Sequence, residues 1–229
     1  MTKTEAMKEL RTHGSEQTRK TYRRHGMSGK MFGVSYAALG KMKKKIKVDQ
    51  PLAEQLWATD NLDARTLATM IADPGAIRVG TLDTWAKESG ARGLAAAISN
   101  VAAGSPHARK LMEKWTASKS EMTGCAGWHT LASLAREDKG LSDAYLEKRL
   151  ATIESTVHTS TNWVRYAMNN ALINIGVRNA KLEKKAIAAS RRIGKIDVDH
   201  GKTSCKTPDA AAYIKKTVAY NKKKAKRAG

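Results

Sequence analysis

The residues with the most chemistry to offer are amides and cations. In TNWVRYAMNNALINIG (161–176), Asn162, Arg165 and Asn169 recur at helical spacing, with Tyr166, Asn170 and Asn174 beside them. Asparagine is a poor helix former, so four in one helix point to a task other than helix stability. An arginine flanked by amides can donate to phosphate and sugar oxygens; the competing reading is a solvated face that tolerates Asn. A second cluster is Lys41, Lys43, Lys44, Lys45 and Lys47, more cations than a helix end needs to offset its dipole. A third is DHGKTSCKTPDA (199–210). There His200, Lys202 and Lys206 precede a helix opened by Thr207-Pro208-Asp209, whose exposed N–H groups favour anions such as phosphate. Asp197, Asp199, His200 and Cys205 also invite a metal, but their spacing matches no structural zinc pattern, so neither a metal nor another cofactor is expected.

The balance of the whole chain agrees with a polyanionic partner. The 229 residues carry a formal net charge of +21, an excess that attracts nucleic acid above all. An anionic membrane would compete, but no apolar run approaches the roughly 20 residues of a spanning helix. The start, MTKTEAMKEL, has acids and no apolar stretch and is no secretory signal. Cys125 and Cys205 are too few and too far apart for a disulfide framework. A reducing cytoplasm is the expected setting, with residence on the nucleoid when DNA is bound.

These side chains must be positioned by helices. Prolines are scarce, Ala is abundant, and no run alternates apolar and polar residues in strand fashion; the reading is all-α. Thr2 with Glu5 forms a capping box, and Ser15, Ser35, Asp49, Asn61, Ser142 and Asn179 can each cap a helix. Further helices are expected from Thr81, Leu94, Ser105-Pro106 and Ser118 or Ser120. Tyr36, Leu39, Met42 and Ile46 share one face of a helix, and Val164, Ala167, Met168, Ala171, Leu172 and Ile175 form an apolar stripe. The tryptophans Trp57, Trp85, Trp115, Trp128 and Trp163 read as core anchors before stacking platforms. In pairs, the dozen or so helices recur about every 35–45 residues, near the HEAT and armadillo period. The expectation is a monomeric HEAT-like helical-repeat solenoid, an α-α superhelix with a concave binding surface. One domain spans 1–220, and a basic disordered tail, 221–229, serves as an electrostatic arm.

Several blocks together resemble a known family: FGVSYAALGKMKKKI (32–46), DARTLATMIADP (63–74), AGW (126–128), NWVRYAMNNALINIGVRN (162–179) and IGKIDVDHGKTSCKTPDAAAYI (193–214). Over nearly the whole chain they are similar to the DNA alkylation repair family, the AlkD-like DNA glycosylases built of HEAT-like repeats. The resemblance implies a basic concave face cradling duplex DNA, with Arg165, Asn169 and Asn170 in the groove and Lys41 and Lys44 near its rim. It also implies hydrolysis of the N-glycosidic bond of N3- or N7-alkylated purines. Such a base is already a good leaving group, so catalysis needs a carboxylate and aromatic walls around an oxocarbenium-like sugar.

Active members place an aspartate near mid-chain, four residues after an aromatic. Here the corresponding helix is KESGARGLAAAISN (87–100), and the aspartate position falls at Leu94 or Ala95. No aromatic in the chain is followed four residues later by Asp or Glu. Asp83 and Glu88 are the nearest acids, and Asp83 is the weak catalytic candidate. A family tryptophan aligns with Asn170, where Trp163 or Tyr166 can substitute sterically. Two alternatives stand beside the glycosylase: a non-catalytic binder of damaged or branched DNA with the same fold, and a helical-repeat scaffold for an acidic protein.

Overall fold

The computed structural model describes residues 1–137 and 140–228. Among them are thirteen α-helices, one 3-10 turn and no strand; two isolated bridges join Gly14 to Val34 and Lys30 to Asn61. The chain divides into two compact units, Met1–Leu111 with His200–Ser204, and Met112–Asp199 with Cys205–Gly229.

The first unit holds α1 (Lys3–Thr12), α2 (Glu16–Arg24), α3 (Tyr36–Ile46), α4 (Gln50–Trp57), α5 (Leu62–Ile71), α6 (Val79–Glu88) and α7 (Arg92–Gly104). Its helices begin where side chains satisfy the exposed N–H groups: Thr2 and Glu5 close the capping box, and Ser15, Ser35, Asp49 and Asn61 cap α2 to α5. Each such cap is worth about 1 kcal/mol. Helix α6 starts at Val79, ahead of the Thr81 expected from the sequence, because Arg78 opens it with no side-chain cap to read. Similarly, α7 begins at Arg92, two residues ahead of Leu94, with no side-chain cap.

Helix α5 is the hub, packed on α1, α3, α4 and α7. It also carries Asp63, which is only 1% exposed. The Asp63 carboxylate accepts the backbone N–H groups of Phe32 at 2.6 Å, Gly33 at 3.0 Å and Val34 at 2.9 Å. Three charge-assisted bonds to one buried carboxylate fix the loop that leads into α3. Gly33 has φ +79°, and a Cβ there would lie 2.4 Å from the Ser15 carbonyl oxygen, so the loop can lie this close to α2 only with glycine. Trp57 and Trp85 stack at 4.4 Å, with the Arg65 guanidinium over Trp57 at 5.0 Å.

The second unit takes in the end of α8 (Ala108–Thr116) and α9 (Glu121–Arg136), α10 (Asp143–Thr156), the 3-10 turn Val157–Thr159, α11 (Asn162–Gly176), α12 (Ala180–Ile193) and α13 (Ala210–Ala228). Helix α8 starts later than Ser105-Pro106 suggests. Helix α11 is the hub here, packed most extensively on α9 and also on α10, α12 and α13. Its N-terminus is held from α9: Glu121 accepts the Trp163 N–H at 2.8 Å. On the α8 side of α9, a Cβ at Gly127 would lie 2.5 Å from the Thr116 nitrogen, so this approach also requires glycine. Four of the five tryptophans are buried, and Trp163 is half-buried. Helix α13 continues unbroken past Asn221 to Ala228, where the sequence reading placed a disordered tail. No Pro or Gly interrupts 210–228, and Ala and Lys are good helix formers.

Candidate nucleic-acid interface

In the first unit, α3, α5 and α7 enclose an open cleft of about 570 Å³. Tyr36 and Lys43, seven residues apart on one side of α3, stand at its rim with Val48. Thr66, Thr69, Met70 and Pro74 form further wall, and Gly93, Ala96, Ala97 and Asn100 present the face of α7. Tyr36, which shares a helix face with Leu39 and Met42, is 50% exposed, whereas those two are buried. Its ring meets that of Tyr22 edge-on at 6.3 Å, and the Tyr22 hydroxyl donates to the Val34 carbonyl at 2.6 Å. Burial pushes the Tyr22 phenol up to about 12, with the nearby Tyr36 and Asp63 acting in the same direction. Burial also raises the Tyr36 phenol, opposed by Arg92 and reinforced by Asp63.

Among the described residues, no carboxylate lines this cleft. Leu94 and Ala95, which align with the family's aspartate, are 2% and 0% exposed and belong to the core. The acids nearby are engaged structurally. Asp83 pairs with Lys87 at 3.0 Å one helical turn away, beyond the first turn of α6. Glu88 accepts the Trp57 indole N–H at 2.7 Å and lies 3.6 Å from Arg65.

Cations divide into free and neutralised sets. Residues 1–50 hold thirteen Lys and Arg against four Asp and Glu, and 202–229 hold nine against one. Lys41, Lys43 and Lys44 are exposed with no ion pair among the described residues, whereas Lys45 bonds Glu9 at 2.8 Å. On α2, Gln17, Lys20, Arg23 and Arg24 line a second open depression. A Cβ at Gly201 would lie 3.7 Å from the Arg24 carbonyl, so the strip His200–Ser204 runs beside the end of α2 and carries exposed Lys202 there. On α13, Lys215, Lys216, Lys222, Lys223, Lys224, Lys226 and Arg227 are all exposed and form no ion pair among the described residues. Helix α12 is the opposite case. Lys181 and Lys185 pair with Glu147, and Arg192 with Glu154. The hydrogen bonds from Lys185 and then Lys181 hold the Glu147 carboxyl below the usual carboxylate range.

In the second unit the polar face of α11 is a closed network. The Asn170 amide is 3.1 Å from His129 Nδ1, and Asn174 donates to the Asn170 carbonyl at 2.8 Å and to its Oδ1 at 3.1 Å. Tyr166 packs edge-on against both His129, at 6.3 Å, and Trp163, at 6.2 Å. Arg165 is half-buried, and its Nε has no hydrogen-bond partner among the described residues. Asn162 turns away from this row to exchange two bonds with Asp199, at 2.9 and 2.7 Å.

The sequence-selected residues therefore separate. Asn169 does not face a groove: it is 2% exposed, and its amide donates to the Pro208 carbonyl at 3.0 Å, fastening the start of α13 to α11. His200 and Lys202 belong to the unit that contains α2. The start of α13 is capped by Asp209, whose carboxylate accepts the Ala212 N–H at 2.7 Å and so occupies the place a phosphate would take. Lys206 is exposed four residues before α13. Sequence reasoning placed Lys43 in a cation cluster without linking it to the cleft, and missed Asn100 there and the buried Asp63. The i, i+7 pairing of Tyr36 with Lys43 was the available signal. Among the described residues, no three His, Cys, Asp or Glu side chains gather closely enough to hold a metal ion. No helix among them is long and apolar enough to cross a membrane.

Comparison with known proteins gives these surfaces a context. An uncharacterized protein of Listeria innocua is 28% identical over 215 residues, covering 91% of this chain and 93% of its own. An uncharacterized protein of Listeria monocytogenes matches with the same identity and coverage. A solved structure matches with a TM-score of 0.88 and 30% identity, over 96% of this chain and 95% of that one; it is described as a new family of proteins related to the HEAT-like repeat DNA glycosylases with affinity for branched DNA structures. The all-helical architecture is thus that of the HEAT-like repeat proteins. The family model for DNA alkylation repair enzymes matches residues 6–214, and the chain belongs to that family.

Proposed function

We propose that this protein binds branched DNA and excises no base. The observation that carries the reading is the chemistry of the α7 cleft. Gly93, Ala96, Ala97 and Asn100 stand there, with no carboxylate lining the cleft among the described residues. Glycosidic hydrolysis needs a charge to stabilise an oxocarbenium-like sugar and a base to hold water. Neither an amide nor an alanine supplies them. The similar solved structure has affinity for branched DNA, and the same preference is the natural reading for a chain that aligns with it nearly end to end.

Affinity in this reading comes from the unpaired cations of α2, α3 and α13, which neutralise backbone phosphates. Residues 1–220 act as one HEAT-like repeat domain, the protein works as a monomer, and its place in the cell is the cytoplasm, on the nucleoid when DNA is bound. Fluorescence-anisotropy titrations of a four-way junction and a linear duplex of equal length test it. The junction should bind more tightly, and log K for either should fall with log[salt] at a slope steeper than about −5 if six or more phosphates are engaged. A slope near zero, or equal affinity for both DNAs, overturns the reading.

The glycosylase reading retains one argument, membership of a family of repair enzymes. It requires a carboxylate supplied from outside the α7 cleft.

A further inference from the structure

We propose that the α7 cleft is a binding site for one unpaired nucleotide of a branched DNA, with its base against the Tyr36 ring and its phosphate toward Lys43. The inference rests on the branched-DNA reading above and names what that cleft holds. Its size selects the ligand class. About 570 Å³ accommodates a base with its sugar and phosphate but not a duplex. Small residues make the room: Ala96 and Ala97 keep the face of α7 low, and Gly93 lets Met27 and the Tyr36 hydroxyl approach that helix closely.

The lining selects the chemistry. Tyr36 offers a half-exposed aromatic plane, and such planes stack on any base. Val48, Met70 and Pro74 supply apolar surface to complete the slot. Asn100 carries an amide with no partner in the protein among the described residues, and an amide can bond the edge of a base in two places. Among the described residues, Lys43 brings an unpaired ammonium, and no acid lining the cleft opposes an anion.

The stacking plane is also braced in advance. Asp63 fixes Val34, Val34 accepts the Tyr22 hydroxyl, and the Tyr22 ring abuts Tyr36. Preorganisation of this kind lowers the cost of binding. Branch points are where an unpaired base is cheapest to obtain, since its stacking and pairing are already broken.

The test compares a three-way junction carrying one unpaired 2-aminopurine at the branch with the same junction fully paired. Wild-type protein should prefer the unpaired form by about tenfold, the value of one stacked base, and should change the 2-aminopurine emission on binding. Ala97→Trp, which fills the cleft, should bring the preference to about one and abolish the emission change. Tyr36→Leu, at a half-exposed position that tolerates an aliphatic side chain, should lower the preference severalfold. Deoxyadenosine monophosphate at micromolar concentration should not compete, because a lone nucleotide lacks the flanking phosphates; competition would overturn the assignment to DNA. A wild-type preference that survives in both folded variants, or no preference in a protein that binds the paired junction, overturns the nucleotide site alone. Failure to bind the paired junction overturns the branched-DNA reading as well.

Discussion

The exposed face of α7 and the polar face of α11 show two treatments of a helix surface in one repeat fold. On α7 the surface is built of small residues: Gly93, close under Met27 and the Tyr36 hydroxyl, then Ala96, Ala97 and an Asn100 amide with no bond to the protein among the described residues. On α11 it is crowded: Asn170 and Asn174 are tied to each other and to His129, and Tyr166 is wedged between His129 and Trp163. A face of small residues leaves space and donors for a ligand, whereas a crowded one spends its donors internally and presents a fixed shape. Amide-rich helices are thus poor guides to binding until their partners are known, and an alanine-rich helix can be the more available surface.

The comparison breaks most visibly at Asp63. Asp63→Ala leaves the buried N–H groups of Gly33 and Val34 and the half-buried one of Phe32 without an acceptor, at a cost of about 1–3 kcal/mol for each that water does not reach. A net loss of about 3 kcal/mol or more is expected in urea-unfolding stability, with weakened DNA binding because α3 and Tyr36 lose their anchor. Unchanged stability would mean that the loop before α3 is held by other contacts.

A smaller loss sharpens the picture within α11. Asn169→Ala should cost about 1–2 kcal/mol, since the Pro208 carbonyl loses its donor, while leaving the salt slope of DNA binding unchanged. Asn170→Ala should be milder, because its site is half-buried and water can replace the amide. The reverse order in thermal melts would return Asn169 to the surface role that its spacing suggested.

Tyr22 gives a pH signature confined to the first unit. Its phenol titrates near 12 in the folded chain and near 10 when unfolded. The folded state therefore keeps its proton where the unfolded chain has lost it. Stability from this group is complete below pH 10 and is lost as pH rises through 12. Tyr22→Phe should flatten that alkaline decline in a pH series of melts.

The smallest effects separate free from neutralised cations. Lys44→Ala should reduce the salt slope by about one unit and the affinity severalfold. Lys185→Ala should leave both nearly unchanged, because Glu147 already answers that charge. It should cost at most about 1 kcal/mol of stability. Equal effects at the two positions would dissolve the distinction.

Much of this architecture is legible in the sequence because caps are local chemistry. Thr2, Ser15, Ser35, Asp49, Asn61, Ser142 and Asn179 each cap the helix that follows. The start of α6 escaped because Arg78 provides no side-chain cap. The site was less legible, since burial is decided by tertiary packing. Five lysines crowd the end of α3, and only its packing on α5 decides that Lys43 reaches the cleft. Asp63, at the second position of a capped helix, looks like any carboxylate favouring a helix dipole until a loop 30 residues earlier is seen to bond it. Asn169 lies between Met168 and Ala171 in sequence and is drawn inward with them, toward Pro208.

The central claim is DNA binding without base excision, and a single-turnover base-release assay tests it most directly. Protein in excess over DNA bearing 3-methyladenine and 7-methylguanine, under conditions where binding is saturated, should release no free base above the protein-free control. Time-dependent release of either base that scales with protein concentration would contradict the account and require a catalytic carboxylate outside the α7 cleft.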